Sequence, residues 1–164
     1  MLEAAGAIRQ FQTATLLTKD YIYDMKRVCV IDGQGGGIGA SVIKYLKEVY
    51  GETIGLLALG TNAVATSQMM RAGANRGASG ENAIARTVDE VDIIIGPISI
   101  TWANAMLGEV TPRMAEAITS SPALKILLPL TQERVILVGF VSEPLPHLIK
   151  ILVEEKIKEV LNDV

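Results

Sequence analysis

The apolar residues of this chain follow two different spacings. Short runs rich in valine, isoleucine and leucine end at a glycine, a proline or a carboxylate, and they alternate with longer stretches of mixed polarity. Such short runs are typical of strands that are buried on both faces of a parallel sheet. We predict strands over residues 27–31, 53–59, 91–95, 124–129 and 134–138.

Between these runs, apolar residues recur every three to four positions, which predicts helices that pack one face against a sheet. Capping residues and glycines mark where these helices begin and end. Thr111 followed by Pro112 is a standard start signal. We expect helices over residues 38–49, 62–72 and 101–107, a further helix that begins at Thr111, and a closing helix from about Pro144.

The alternation of strands and helices predicts an α/β protein with a three-layer, Rossmann-like architecture. We expect a mostly parallel sheet of about five strands with helices on both faces. Only residues 130–133 separate the last two runs, and this connection is too short for a crossover helix. We therefore predict an antiparallel last strand, paired with its neighbour in a hairpin.

The chain has 164 residues, which fits one domain. Residues 1–24 show no clear hydrophobic period, whereas the core pattern begins at Met25. We expect a single Rossmann-like domain over residues 25–164, with residues 1–24 as a leader outside it. The leader is expected to be either disordered or an extra helix docked on the domain.

The first predicted strand runs directly into a glycine-rich segment that precedes a helix. The segment is Asp32-Gly33-Gln34-Gly35-Gly36-Gly37-Ile38-Gly39. Glycine has no Cβ, so its N–H group can approach an anion closely while the helix points its positive end at the same place. The spacing Gly35-x-Gly37-x-x-Ala40 also satisfies the dinucleotide-binding fingerprint. We predict a bound phosphate or pyrophosphate here, and glycines that serve strand-to-helix packing alone are the alternative.

The fingerprint also requires an acidic residue about twenty positions further on, which binds the ribose hydroxyls. That place holds Gly60, Thr61 and Asn62, so no carboxylate is available there. This weakens the case for NAD(P) specifically and leaves another nucleotide open. Asp32 is the awkward member of the site, because a carboxylate repels a phosphate. It is expected to hold Mg²⁺, to bind a ribose hydroxyl or merely to brace the turn.

A second unusual segment, residues 73–82, places hydroxyl, amide, guanidinium and carboxylate groups close together in a predicted loop. Such loops carry function when a rigid scaffold positions them. We predict that Arg76 binds an anionic group, because its planar fork of donors suits phosphate. A flexible surface connection is the alternative.

Ligands of open parallel sheets bind beyond the carboxyl ends of the strands. That rule selects the strand ends and the two glycine-bearing segments as the predicted binding site. The predicted cofactor-binding residues are Asp32, Gly33, Gly35, Gly36, Gly37, Ile38, Gly39, Gly60, Thr61, Asn62, Arg76, Ser79, Asn82, Gly96 and Pro97.

Few residues are candidates for catalysis. Asp32 and Glu81 are the candidate acids or bases, and whether the chain is an enzyme stays open. His147, the single histidine, stands at the start of the closing helix, where we expect a surface or capping role. Cys29 lies inside the first strand and is expected to be a small buried hydrophobic residue. No cluster with metal-ligand spacing is present in the sequence, so we predict no zinc site.

The charge balance limits the partners. The chain has 15 lysines and arginines against 18 aspartates and glutamates, with a formal net charge of −3 at pH 7 and no basic run. A nucleic-acid partner is therefore not expected. No stretch approaches the roughly eighteen to twenty apolar residues of a membrane span, and a cytoplasmic location is the default expectation. Small residues such as Ala103 and Ala115 would suit a homodimer interface, and ordinary helix-on-sheet packing would explain them as well.

Several longer motifs carry a resemblance to a known family. They are Val30-Ile31-Asp32-Gly33-Gln34-Gly35-Gly36-Gly37-Ile38-Gly39, Ala58-Leu59-Gly60-Thr61-Asn62-Ala63, Ala72-Gly73-Ala74-Asn75, Gly80-Glu81-Asn82-Ala83-Ile84, Asp92-Ile93-Ile94-Ile95-Gly96-Pro97 and Glu143-Pro144-Leu145-Pro146-His147-Leu148. From Met25 nearly to the end, the chain resembles a small bacterial family of unknown function, domain-of-unknown-function family 3842. The resemblance implies a Rossmann-like domain, found mostly in anaerobic Gram-positive bacteria, with no assigned activity.

Together these features predict a protein that binds a nucleotide or another phosphorylated small molecule at its glycine-rich loop. One alternative is an NAD(P)-dependent or nucleotide-using enzyme. The other is a ligand-free oligomeric or regulatory module, whose glycines serve packing.

Overall fold

The structure is a computed structural model and describes residues 25–163. It contains a five-stranded sheet in which every pair of neighbouring strands is parallel. The strands are β1 (Arg27–Asp32), β2 (Gly55–Gly60), β3 (Arg76–Ser79), β4 (Ile93–Pro97) and β5 (Leu124–Leu128). Their order across the sheet is β3-β2-β1-β4-β5. The predicted α/β, Rossmann-like fold is confirmed.

Helices cover both faces of the sheet. They are α1 (Gly37–Tyr50), α2 (Ala63–Arg71), α3 (Glu81–Thr87), α4 (Pro112–Ser120), α5 (Leu145–Lys150) and α6 (Lys158–Asn162), with 3-10 turns at Val88–Glu90 and Ile98–Thr101 and a π-helical segment, Ile151–Ile157, between α5 and α6. Helices α1, α2 and α5 pack on one face with the π-helical segment, while α3 and α4 pack on the other. The result is the three-layer arrangement.

Strand β1 lies at the centre of the sheet, and its side chains alternate between the two hydrophobic layers. Val28 and Val30 pack on the side of α1, and Cys29 and Ile31 pack on the side of α4. All four are fully buried, which explains why this strand is a continuous apolar run. Burial also raises the pKa of the Cys29 thiol, so the group stays protonated and unreactive.

Local capping interactions set two helix starts as the sequence predicts. The Asn62 side chain accepts a hydrogen bond from the Ala65 N–H at 2.9 Å, before α2. The Thr111 hydroxyl oxygen accepts one from the Met114 N–H at 3.1 Å, before α4. Each cap satisfies a backbone donor that the first turn of a helix leaves unpaired.

The predicted antiparallel hairpin at the end of the sheet is wrong. Residues 134–138 form no strand, and β5 is the last strand, parallel to β4. After β5 the chain instead leads to α5, which buries Leu148 and Ile149 in the hydrophobic layer beside α1. Because the chain then covers this face of the sheet, it adds no strand to the free edge of β5.

Two further predictions about single elements are wrong. Residues 76–79, predicted as part of a loop, form the edge strand β3, because their backbone pairs with β2 although they have no apolar pattern. Residues 101–107, predicted as a helix, form turns after the 3-10 turn that ends at Thr101. The predicted leader, residues 1–24, lies outside the described residues.

Gly96→Ala should destabilise the fold. A Cβ at this position would lie 2.5 Å from the Ile31 carbonyl oxygen and 2.7 Å from Ile100 Cδ1. Overpacking of this kind costs about 1–3 kcal/mol. Urea unfolding measures the loss. Gly55→Ala is the matched control, because a Cβ there would meet no atom nearer than 3.9 Å. Equal unfolding midpoints for the two variants would contradict the close approach of β1 and β4.

Candidate functional site

The carboxyl ends of β1 and β4 border a crevice at the centre of the sheet. From β1 the chain proceeds outward to β2 and β3, whereas β4 and β5 lie on the other side of β1. Ligands of open α/β sheets bind at such a switch point. The glycine-rich loop after β1, the Thr61-Asn62 turn after β2 and Pro97 at the end of β4 all belong to this edge.

Asp32 connects the two ends of the glycine-rich loop by hydrogen bonds. Its carboxylate is buried and accepts hydrogen bonds from the Gly33 N–H at 2.8 Å and from the Gly39 N–H at 2.7 Å. Because Gly39 belongs to the first turn of α1, the carboxylate binds the loop to the start of that helix. Burial raises the pKa of Asp32, the two N–H groups oppose the rise, and the charge of Glu109 adds to it.

Three loop glycines are required by the packing of the protein itself. A Cβ at Gly36, whose φ is 71°, would lie 2.7 Å from Cα of Ala65. At Gly39 the nearest atom, Sδ of Met69, would be 2.5 Å away. At Gly33 a Cβ would lie 2.6 Å from Oγ1 of Thr61. The packing of the chain therefore explains these three glycines without a ligand.

Gly35 and Gly37 differ from the other loop glycines. A Cβ at either would meet no atom within 4 Å, and neither has a positive φ. Within residues 25–163, neither N–H group donates a hydrogen bond. The loop therefore offers two free donors beside open space, at the positive end of the 14-residue helix α1.

The structure adds a carboxylate that the sequence did not predict in this place. Glu109 Oε2 accepts three hydrogen bonds: from the Gln34 N–H at 2.8 Å, the Thr61 hydroxyl at 2.5 Å and the Asn62 amide at 2.9 Å. Partial burial on its own would raise the pKa of Glu109. The three hydrogen bonds outweigh that effect and hold the pKa below its ordinary value. Glu109 is therefore ionised at neutral pH.

The segment that carries Glu109 folds back on itself after β4. The Asn104 N–H donates to the Val110 carbonyl at 2.7 Å, and the Val110 N–H donates to the Ala105 carbonyl at 3.2 Å. Asn104, Met106 and Leu107 adopt φ values of 67°, 57° and 58°, which are costly for residues other than glycine. Glu109 and Thr61 are 48 residues apart in sequence, so no local spacing could have indicated their contact.

A cavity of about 240 Å³ opens beside Asp32 and the glycine-rich loop. Its lining residues are Asp32, Gln34, Ile38, Pro97, Ser99, Met106, Leu130, Thr131, Gln132, Glu133 and Leu145. Six of these eleven residues are polar, but most of the exposed wall surface is apolar, as is usual for small-molecule sites.

The structure brings together many of the predicted binding residues, but not all of them. Residues 32–39, the turn after β2 and Pro97 meet at the carboxyl edge, whereas Gly96 lies inside β4 and allows close packing against β1. Ser79 ends the edge strand β3, where its hydroxyl lies 2.7 Å from that of Thr66. Asn82 is exposed on α3. Ser79 and Asn82 therefore lie toward the β3 edge of the sheet.

Arg76 lies at the amino ends of the strands, on the opposite side of the sheet from the crevice. It begins β3 and lines a separate cavity of about 500 Å³ together with residues such as Arg27 and Gly55, at the amino ends of their strands. This corrects the prediction that places Arg76 in the binding site at the carboxyl ends of the strands. Residues 76–79 form a strand, so Arg76 and Ser79 lie at opposite ends of that strand.

Glu81 and His147 make contacts away from the cavity. Glu81 accepts a hydrogen bond from the Thr111 hydroxyl at 2.5 Å and pairs with Arg113 at 3.4 Å, which connects α3 to α4. Nδ1 of His147 lies 2.7 Å from the Glu143 carboxylate at the surface. Neither residue lines the cavity beside Asp32.

Residues 25–163 contain neither a membrane-spanning helix nor a group of metal ligands. None of the helices there is both long enough and apolar enough to cross a membrane. Within the same residues, no three histidine, cysteine, aspartate or glutamate side chains are grouped so that they could hold a metal ion.

Comparisons with known proteins show the family of this chain. No curated protein matches the chain. Among solved structures, a universal stress protein in complex with cAMP matches with 16% sequence identity and a TM-score of 0.39, over 63% of this chain and 96% of that chain. The family model for Domain of unknown function (DUF3842) matches residues 27–162, which is almost the whole of the described chain and includes all of the resembling motifs. The chain therefore belongs to the DUF3842 family.

Proposed function

We propose that this protein binds a nucleotide or another phosphorylated small molecule in the crevice between β1 and β4. A phosphate group would accept hydrogen bonds from the N–H groups of Gly35 and Gly37. The main support is that both glycines face open space and that neither N–H group donates a hydrogen bond within residues 25–163. The packing of the chain itself does not require glycine at either position.

Close approach of a ligand would explain why positions 35 and 37 are glycine. A phosphate oxygen about 2.9 Å from a backbone nitrogen would occupy space that a side chain would otherwise restrict. The start of α1 points its partial positive charge at the same place. Backbone donors can thus hold an anion here without a lysine or an arginine.

The charge of Asp32 is compatible with this proposal. Its carboxylate already accepts two N–H groups, and its raised pKa makes the neutral form more accessible than for an exposed aspartate. A Mg²⁺ ion between Asp32 and the phosphate would also reduce the repulsion. The Mg²⁺ stays a prediction.

The cavity beside Asp32 would hold a further part of the ligand. Its volume of about 240 Å³ is below the roughly 300–1,000 Å³ of typical pockets for drug-sized molecules. That size favours a mononucleotide or a smaller phosphorylated molecule over an extended dinucleotide such as NAD(P).

An enzyme that uses this ligand is the second candidate, and the raised pKa of Asp32 favours it. Asn in place of Asp32 would then abolish turnover in a substrate screen while the protein stays folded. Glu81 is a weaker catalytic candidate, because its carboxylate is bonded to Thr111 and Arg113.

The homodimer stays a prediction. Two of the alanines that would suit its interface, Ala105 and Ala115, pack inside the chain.

The double variant Gly35→Ala, Gly37→Ala should lose ligand binding and stay folded. A thermal-shift panel of adenine and guanine nucleotides, NAD(P)H, sugar phosphates and pyrophosphate, with and without Mg²⁺, measures this. A ligand at about a hundred times its Kd adds roughly 2.7 kcal/mol to wild-type stability. We expect that increase in the wild type and in Gly55→Ala, and none in the double variant. A panel without any shift in the wild type, or an unchanged shift in the double variant, would overturn the proposal.

Asp32→Asn should change the pH dependence of stability. Because folding raises the pKa of Asp32 above its ordinary value of 3.8, the folded state holds this proton more tightly than the unfolded state. Wild-type stability relative to Asp32→Asn should therefore fall as the pH rises from the unfolded pKa through the folded pKa, and then level off. Urea unfolding from about pH 4 to about pH 8 gives this difference. A difference that rises over the same window would contradict the assignment.

A further inference from the structure

Glu109 occupies the place where the sequence has no carboxylate, at the end of β2. In dinucleotide-binding sheets, an acidic residue at the end of the second strand binds the ribose hydroxyls. Here the residues after β2 are Thr61 and Asn62, and both side chains donate hydrogen bonds to Glu109 Oε2. The tertiary structure thus brings a carboxylate from the segment after β4 to the end of β2.

The two carboxylate oxygens of Glu109 differ in their contacts. Oε2 accepts three hydrogen bonds, which fix the orientation of the group. Oε1 accepts none from residues 25–163, and no side-chain oxygen or nitrogen there is both fully buried and without a partner. Oε1 is therefore not fully buried and has an unused acceptor.

The chemistry of this oxygen restricts what it can bind. An ionised carboxylate only accepts hydrogen bonds, so its complement is a donor. Within residues 25–163, Glu109 forms no ion pair with a lysine or an arginine. A phosphate would be repelled from Oε1, whereas hydroxyl groups would bind it.

Glu109 also lies close to the proposed phosphate site. It binds the N–H of Gln34, the residue directly before Gly35. In a nucleotide, a single methylene group separates the ribose ring from its 5′-phosphate oxygen. A 5′-phosphate on Gly35 and Gly37 would therefore place the sugar beside the loop that Glu109 contacts.

We propose that Oε1 of Glu109 accepts hydrogen bonds from the ribose hydroxyls of the ligand, so that the site selects ribonucleotides over nucleotides without these hydroxyls. This inference rests on the proposed function and names its substrate class. Thr61, Asn62 and the Gln34 N–H are positioning groups that hold the carboxylate.

The experiment compares the four ribonucleoside triphosphates with their 2′,3′-dideoxy counterparts by isothermal titration calorimetry, with pyrophosphate as a ligand that has no sugar. A hydrogen bond to a charged group accounts for about tenfold to a hundredfold in affinity. We expect the wild type to bind at least one ribonucleotide tighter than its dideoxy form by about that factor. In Glu109→Gln the ratio should fall toward one, while pyrophosphate affinity does not decrease.

The matched control is Glu116→Gln, which removes the same charge from an exposed residue of α4. It should keep the wild-type ratio. The wild-type comparison needs no substitution, so the inference can be tested even if Glu109→Gln does not fold.

Three outcomes would overturn the inference. Equal binding of ribonucleotides and dideoxynucleotides by the wild type would show that Glu109 does not bind the sugar. Tighter binding of pyrophosphate and dideoxynucleotides by Glu109→Gln, with no ribose preference in the wild type, would show that Glu109 only blocks an anion site. Pyrophosphate binding that depends on Gly35 and Gly37, without any nucleotide binding, would leave the proposed function standing and exclude the ribose contact. If neither pyrophosphate nor any nucleotide binds, the proposed function itself fails.

Discussion

The buried carboxylate of Asp32 is the interaction on which the geometry of the crevice depends. A carboxylate with 4% of its surface exposed needs hydrogen-bond donors, because burial without them is strongly unfavourable. The N–H groups of Gly33 and Gly39 supply them, which holds the end of β1, the loop and the first turn of α1 in one arrangement. The carbonyl of Asp32 also accepts the Thr61 N–H at 3.0 Å, so the end of β2 is held to the same residue.

This arrangement divides five backbone donors of the loop among three uses. Asp32 binds two of them, Glu109 binds the Gln34 N–H, and those of Gly35 and Gly37 are unbonded within the described residues. Two carboxylates thus border a small region of free backbone donors. A ligand that combines a phosphate with hydroxyl groups would match both parts of this region, and that match is the basis of the proposed ribonucleotide.

Local interactions made much of the fold predictable. The apolar run of β1 and the caps of α2 and α4 depend on residues close together in sequence, and each was found where the pattern placed it. The edge strand β3 was missed because its four residues have no apolar pattern and pair through their backbone. The segment after β5 was mistaken for a strand. Its apolar residues Ile136 and Val138 are 92% and 99% exposed, so their hydrophobicity did not indicate burial.

The sequence by itself determined the α/β class, the glycine-rich loop after the first strand and the helix that follows it. These features arise from periodicity, glycine conformation and capping, which act over a few residues. Only the tertiary structure decided which loop glycines have free space. It also placed Arg76 at the amino ends of the strands and brought Glu109 into contact with Thr61 and Asn62. Those outcomes depend on how distant segments pack around the sheet, and spacing along the chain contains no record of such contacts.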